Sequence, residues 1–210
     1  MSDNRRILMY LDVMGYEAVI KKNDSKKLEA LLGIIRRFAL TQSNYQASHD
    51  LVEGGHVTQC MPEISSFSDL VVLSVPLYCI QQFNVLEMMT DFAARYCLDC
   101  LGGGFLVRGA ITSGNLIHHK EKTVYRDRIQ ETTNIVFGEA LVEAVKLEKD
   151  KNHPNPTITI SPATIKLFEL TAPDHLKILK QDVDGSFYID WVGSPQFNHA
   201  ARIRRMSSKE

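Results

Sequence analysis

The stretch ILMYLDVMGYEAV, residues 7–19, decides how the rest of the chain is read. Ile7 to Leu11 is a continuous apolar run of the length of a buried strand. Asp12 ends it. A buried carboxylate without a partner is costly, so Asp12 calls for a metal ion, an arginine or a helix to cap. Gly15 follows three residues later and lets the backbone approach a ligand closely, with the amides of Met14, Gly15 and Tyr16 able to face a phosphate. A plain turn glycine is the alternative. Strand, acid, glycine turn and helix together make a framework for holding a metal and a phosphate.

FSDLVVLSV (67–75) is a second strand candidate with an aspartate, Asp69, in an apolar setting. Two strand-borne aspartates suit a pair of Mg²⁺ or Mn²⁺ ions, which prefer carboxylate oxygens; an arginine partner or a helix cap for each is the plainer reading. FLVRGAITSG (105–114) is a third strand, and Arg108 inside it needs an anion. That anion is Asp12, Asp69 or a phosphate gripped by the planar guanidinium fork.

Between these strands the spacing predicts helices. Leu28, Leu31, Leu32, Ile35, Phe38 and Ala39 form one apolar face after Ser25, a good N-cap. Leu86, Met89, Phe92, Ala93 and Tyr96 mark a second helix, ended by Gly102-Gly103-Gly104. FGEALVEAVKLEK (137–149) is a shorter one, and Ser161-Pro162 opens another after the alternating strand TITIS (157–161). Residues 47–63, with Gly54-Gly55 and Pro62, read as a loop or hairpin. Residues 115–134 are polar and read as a surface excursion; His118-His119 and Tyr125-Arg126 fall there as residues of a solvated loop. Strands are expected at His175 to Leu179 and Phe187 to Val192, and a frayed basic tail from Ala200. The order predicts one α+β domain over residues 1–210, an antiparallel sheet with helices on one face and a ferredoxin-like, split-βαβ core.

Composition excludes several classes. A formal net charge of -1 gives no bulk attraction to nucleic acid or to an anionic membrane. The polar Ser2 to Arg6 opens no signal peptide, and no run reaches the roughly 20 apolar residues of a membrane span. A cytoplasmic protein is expected. Of the four cysteines, Cys97 and Cys100 form a CxxC, but without a second such pair all four read as reduced thiols.

These residues together resemble the class III nucleotidyl cyclases over most of the chain. In that family the first metal aspartate stands in a strand followed by xxG and an aromatic, as in LDVMGY. The second metal aspartate begins a neighbouring strand, as in SFSDLVVL. The pattern xRxGIxxG, whose arginine holds the triphosphate, resembles VRGAITSG, and VxGxxVNxAxRLE resembles VFGEALVEAVKLE. The resemblance implies that Asp12, Asp69 and the carbonyl of Val13 hold two divalent ions, Mn²⁺ or Mg²⁺. Arg108 and the amides of Met14, Gly15 and Tyr16 then take the triphosphate. It also implies a homodimer with sites at the interface, completed by Ser65, Ile135, Val142 and Lys146 of the partner copy.

The departures are informative. The family's transition-state asparagine falls on Val142 and its arginine on Lys146, which keeps a charge and loses the fork. The lysine and aspartate that read adenine fall on Ser65 and Ile135. With the purine code gone and both metal aspartates kept, the smaller group most similar is the pyrimidine cyclases of the bacterial Pycsar antiphage systems. That resemblance implies a nucleoside triphosphate substrate, UTP favoured over CTP, and cyclic UMP read by a separate effector protein. A purine cyclase with a rearranged pocket and an inactive nucleotide-binding module are the alternatives.

Overall fold

The structure is a computed structural model that describes residues 4–40, 51–53, 56–58, 62–81, 84–125, 128–149, 156–193 and 198. The opening stretch forms β1 (Arg5–Met14), which turns through Gly15 into the short α1 (Tyr16–Lys21). Gly15 has φ 83°, a left-handed conformation that disfavours any side chain, so glycine is needed at this turn. Helix α2 (Ser25–Leu40) is capped one residue earlier than expected: Asp24 Oδ1 accepts from the Lys27 amide at 3.1 Å.

A small hairpin, β2 (Leu51–Glu53) with β3 (His56–Thr58), occupies the expected loop-or-hairpin region. The single strand expected over 67–75 is instead the second arm of a hairpin. β4 (Glu63–Phe67) and β5 (Leu70–Pro76) pair antiparallel about Ser68 and Asp69, with Ser68 at φ 57°. After a 3₁₀ turn (Leu77–Gln81), α3 (Val85–Gly102) is capped by Asn84, whose side chain accepts from the Glu87 amide at 2.8 Å. The helix ends at the glycines, with Gly104 at φ 81°.

β6 (Leu106–Tyr125) runs on far beyond residue 114 and folds back through β7 (Arg128–Gly138) into α4 (Glu139–Glu148). The segment read as a surface excursion is therefore a long hairpin arm. Residues Tyr125 and Arg126 lie outside what the structure describes of side chains and chain respectively. β8 (Ile158–Ile160) pairs parallel to β6 and leads into α5 (Pro162–Thr171), whose cap Ser161 accepts from the Thr164 amide at 3.2 Å. The strand expected from His175 starts later: Pro173–Ile178 is a 3₁₀ turn, and β9 (Leu179–Gln181) then pairs with β10 (Phe187–Ile189). Proline at the first position favours the turn over the strand. The tail from Ala200 lies outside the described residues.

The main sheet has the order β4-β5-β1-β6-β8-β10-β9, with β7 on β6. Its β4-β5-β1-β6 part is antiparallel and has the ferredoxin-like order, with α2 and α3 as the crossovers. Alternate residues of β1 enter two cores. Ile7, Met9, Leu11 and Val13 pack with α2, α3 and α5, whereas Leu8 and Tyr10 pack with Ala140 and Ala144 of α4. Helices thus cover both faces, not the one expected, because α4 returns under the sheet from the β6–β7 arm. Among the described residues no helix is long and apolar enough to cross a membrane.

Cys97 and Cys100 are buried free thiols on α3, and burial pushes Cys100 up to about 12 and Cys97 well upward. The CxxC is core, not redox chemistry. Cys79 departs from expectation in being disulfide-bonded; such pairing has no local spacing signal to read. Cys60 lies outside the described residues.

Candidate active site

The register of three strands assembles the site. Asp12 stands opposite Arg108 across the β1–β6 ladder and opposite Leu70, the residue after Asp69, across β1–β5. The hairpin turn is tied to β1 by the backbone: the Val13 amide donates to the Asp69 carbonyl at 3.2 Å. Both aspartates thus lie at one end of the central strand, Asp12 on the α4 face with Tyr10 and Ala110. The Met14-Gly15-Tyr16 turn follows at the same strand end, and the Gly15 carbonyl accepts from the Ala18 and Val19 amides at 3.1 and 3.2 Å.

Arg108 meets Asp12 first: its Nε donates to Asp12 Oδ2 at 3.1 Å. The same Nε touches Oε1 of Glu148, the last residue of α4, whose side chain is almost wholly buried. Burial pushes the Asp12 carboxyl up, the Arg108 hydrogen bond pulls it down, and the Asp69 carboxylate pushes it up further. Glu148 is raised as well, by burial first and against the pull of Arg108. Burial and then Asp12 push Tyr10 up to about 12. Arg108 is therefore shared between two carboxylates, and among the described residues only the exposed Lys149 adds positive charge that acts on both.

That electrostatic imbalance bears on a metal. Among the described residues no cluster of three or more His, Cys, Asp or Glu side chains forms a ready cage. Mg²⁺ and Mn²⁺ do not need one, since they are held by one or two carboxylates together with substrate phosphates. An aspartate whose charge is disfavoured by burial and a like neighbour gains most from a divalent cation. The donor set fits such ions.

Other predicted residues lie apart from this cluster. Lys146 and Val142 are exposed on α4, Val142 at 55%. Ile135 is half-buried on β7, opposite His119. Ser65 is buried on β4, and its hydroxyl bonds His118 Nε2 at 2.8 Å. On the other side of the ring, Ser74 of β5 bonds Nδ1 at 2.7 Å. Arg6 extends the network, reaching Ser74 Oγ at 2.9 Å and Glu63 at 3.2 Å.

His118 is thus a buried clamp on the β4–β5 hairpin rather than a residue of a solvated loop. Polar composition hid it, although Leu116 inward, Ile117 outward and His118 inward alternate as a strand should. Glu148 was also missed. Its signal was helical spacing: Ala140, Ala144 and Glu148 recur at every fourth residue, which puts a carboxylate in a buried stripe.

A consequence for stability follows from the clamp. His118→Ala leaves two buried hydroxyls without a ring partner and opens a cavity, each worth roughly 1–3 kcal/mol. At about 3 kcal/mol, the low end of their sum, the midpoint of thermal unfolding should fall by about 6–12 °C for a domain of this size. A shift under about 2 °C in a calorimetric comparison would show that the network holds nothing.

No family model matches the sequence, and no curated protein matches it. Solved structures do. The chain is similar to the guanylate cyclase domain of RhGC from Catenaria anguillulae in complex with GTP, with TM-score 0.53 and 9% identity, covering 88% of this chain and 93% of that one. It is similar to the catalytic core of a rhodopsin-guanylyl cyclase with converted specificity in complex with ATPalphaS: TM-score 0.53, 10% identity, coverage 90% and 97%. The guanylyl cyclase Cya2 gives TM-score 0.50 at 12% identity, with 78% and 77% covered. At these identities the likeness establishes the fold alone: the chain has the α+β fold of those cyclase domains.

Proposed function

We propose that the chain is a pyrimidine nucleotide cyclase that converts UTP to 3′,5′-cyclic UMP and diphosphate. The observation that carries the cyclase reading is the convergence of Asp12, Asp69 and Arg108 at one end of β1 in this fold. Domains of the same fold have been solved with GTP or ATPalphaS, which supports a nucleoside triphosphate as ligand. The pyrimidine preference rests on the base-reading positions. Ser65 spends its hydroxyl on His118, and Ile135 has no polar group, so neither supplies the lysine and aspartate of the adenine readers.

Phosphoryl transfer needs positioning and charge stabilisation more than covalent help from the protein. Asp12, Asp69 and the Val13 carbonyl are the groups that would hold Mn²⁺ or Mg²⁺. Those ions, when bound, neutralise the triphosphate and activate the ribose 3′-oxygen. Arg108 and the amides of Met14, Gly15 and Tyr16 take up the charge of the phosphates. A two-fold homodimer brings Lys146, Val142, Ser65 and Ile135 of one copy toward the site of the other. The cyclic nucleotide then acts as a second messenger in antiphage defence, read by a separate effector that stops cell growth.

Val142 supports a second reading, an inactive nucleotide-binding module, because an exposed valine donates no hydrogen bond to a transition state. The test is purified protein with Mn²⁺ and each of the four nucleoside triphosphates in turn. Cyclic UMP from UTP is expected. Cyclic CMP from CTP makes the chain a cytidylate cyclase, ATP or GTP turnover alone overturns the pyrimidine reading, and no turnover with any metal favours the module.

A further inference from the structure

Arg108 stands between two carboxylates that approach the same Nε: Asp12 Oδ2 at 3.1 Å from β1 and Glu148 Oε1 from α4. We propose that Glu148 is a positioning residue that competes with Asp12 for Arg108 and so loosens the pair that a divalent cation must open to reach the Asp12 carboxylate. The inference rests on the reading of Asp12 and Asp69 as the metal-holding pair.

The geometry gives Glu148 no other visible task. Its side chain is 1% exposed, in line with Ala140 and Ala144 on the buried face of α4, where an apolar residue would pack without desolvating a charge. A carboxylate retained at such a place must act through what it touches, and what it touches is Arg108. Remove it, and Asp12 is the anionic partner left to the guanidinium among the described residues. A closed Arg108–Asp12 pair puts a fixed protein cation where a mobile metal cation is needed, and the two compete for the same oxygens. Glu148 approaches the same Nε and so competes for the hydrogen that holds that pair. Lys149 is the other cation whose charge acts on both Asp12 and Glu148; its exposed position makes it a weak competitor.

The connection also runs along the chain. α4 carries Val142 and Lys146 on its exposed side and Glu148 on its buried side. A shift of this helix therefore changes how Arg108 divides itself between the two carboxylates.

Glu148→Gln tests the idea, since it preserves shape and an acceptor oxygen while removing the charge that holds Arg108. Mn²⁺ binding is measured by electron paramagnetic resonance without nucleotide, beside a thermal melt. The dissociation constant should rise about tenfold, the lower end of what loss of a residue behind a metal ligand costs. In turnover, the half-saturating Mn²⁺ concentration should rise by a similar factor, with kcat largely recovered at saturating metal. Glu148→Asp, which keeps the charge, should recover most of the affinity. In an Arg108→Gln background, Glu148→Gln should produce no further weakening; a direct charge effect on the metal would persist there.

Unchanged Mn²⁺ affinity in Glu148→Gln, or an equal loss with and without Arg108, overturns the proposal. A parent protein that binds Mn²⁺ yet turns over no nucleotide counts against the cyclase reading alone. A parent that cyclises UTP but whose Mn²⁺ affinity ignores Glu148→Gln counts against this inference alone.

Discussion

Asp69→Ala is expected to reduce cyclic nucleotide formation by at least about 10³-fold while leaving the melting temperature within a few degrees of the parent. The two halves of that statement have separate causes. Asp69 sits in the β4–β5 turn, half-exposed, and the bond that ties the turn to β1 uses its backbone carbonyl, accepting from Val13 at 3.2 Å. Alanine keeps that bond. Surface changes that break no cap and open no cavity usually stay within about 0.5 kcal/mol.

The activity loss comes from the carboxylate. A metal site held by only two side-chain carboxylates loses half its charged ligands with one substitution. A bound ion contributes several kcal/mol of transition-state charge stabilisation, and each 1.36 kcal/mol is about a factor of ten in rate. Asp69→Asn keeps shape and should lose nearly as much, which separates charge from geometry. Product measured by chromatography within tenfold of the parent would remove Asp69 from the metal site. A variant that binds UTP more weakly, from a parent that never makes product, would mark a binding module.

The parts of the fold that were legible in the sequence are those whose burial follows one period. β1 and the first half of β6 are continuous apolar runs, and α2, α3 and α5 carry apolar faces with recognisable caps or stops. The carboxylates and the arginine were visible for the same reason: a charge inside an apolar run stands out. What stayed hidden was structure built from polar residues. β4 is EISSF, where only Ile64 belongs to the core and Ser65 is buried by a hydrogen bond, so hydropathy reports a loop. The β6–β7 arm has the same character, with His118 buried by two serines from other strands. Burial paid for by a partner far away in sequence leaves no local mark.

Helices on both faces were missed for a related reason. The even-numbered residues of β1, Leu8 and Tyr10, are as apolar as the odd ones, a sign of a strand covered on both sides. α4 is short, and its fully buried stripe is made of alanines with one glutamate, so no large apolar side chain marks the face turned to the sheet. Small residues let the helix lie close under the sheet, and that closeness is what brings Glu148 to Arg108.

Gly109→Ala should be strongly disruptive for a single added methyl. Gly109 follows Arg108 on β6, pairs with Leu11 of β1 on one side and with Ile158 of β8 on the other. Its amide donates to the Thr157 carbonyl at 2.9 Å. A Cβ built there would lie 2.2 Å from the Tyr10 carbonyl oxygen and 2.9 Å from Leu11 Cδ2. The nearer atom is backbone in the middle of the central strand, so no side chain can swing aside to make room. Either β1 and β6 separate or β6 twists out of register with β8. Overpacking of this kind costs typically 1–3 kcal/mol and occasionally more. About 3 kcal/mol, or roughly 6–12 °C in melting temperature, is expected here.

The loss should extend to the site, because the strands that must part are the ones that hold Asp12 opposite Arg108. Even below its melting point the variant should bind Mn²⁺ and nucleotide poorly. Gly33→Ala on α2 provides the contrast. Nothing lies within 4 Å of a Cβ at that position, and a glycine inside a helix costs about 0.5–1 kcal/mol relative to alanine. The same methyl should therefore raise the melting temperature at residue 33 and lower it at residue 109. Equal effects at the two positions would mean that the close approach of Gly109 to the Tyr10 carbonyl does not set the spacing of β1 and β6, and with it the spacing of Asp12 and Arg108.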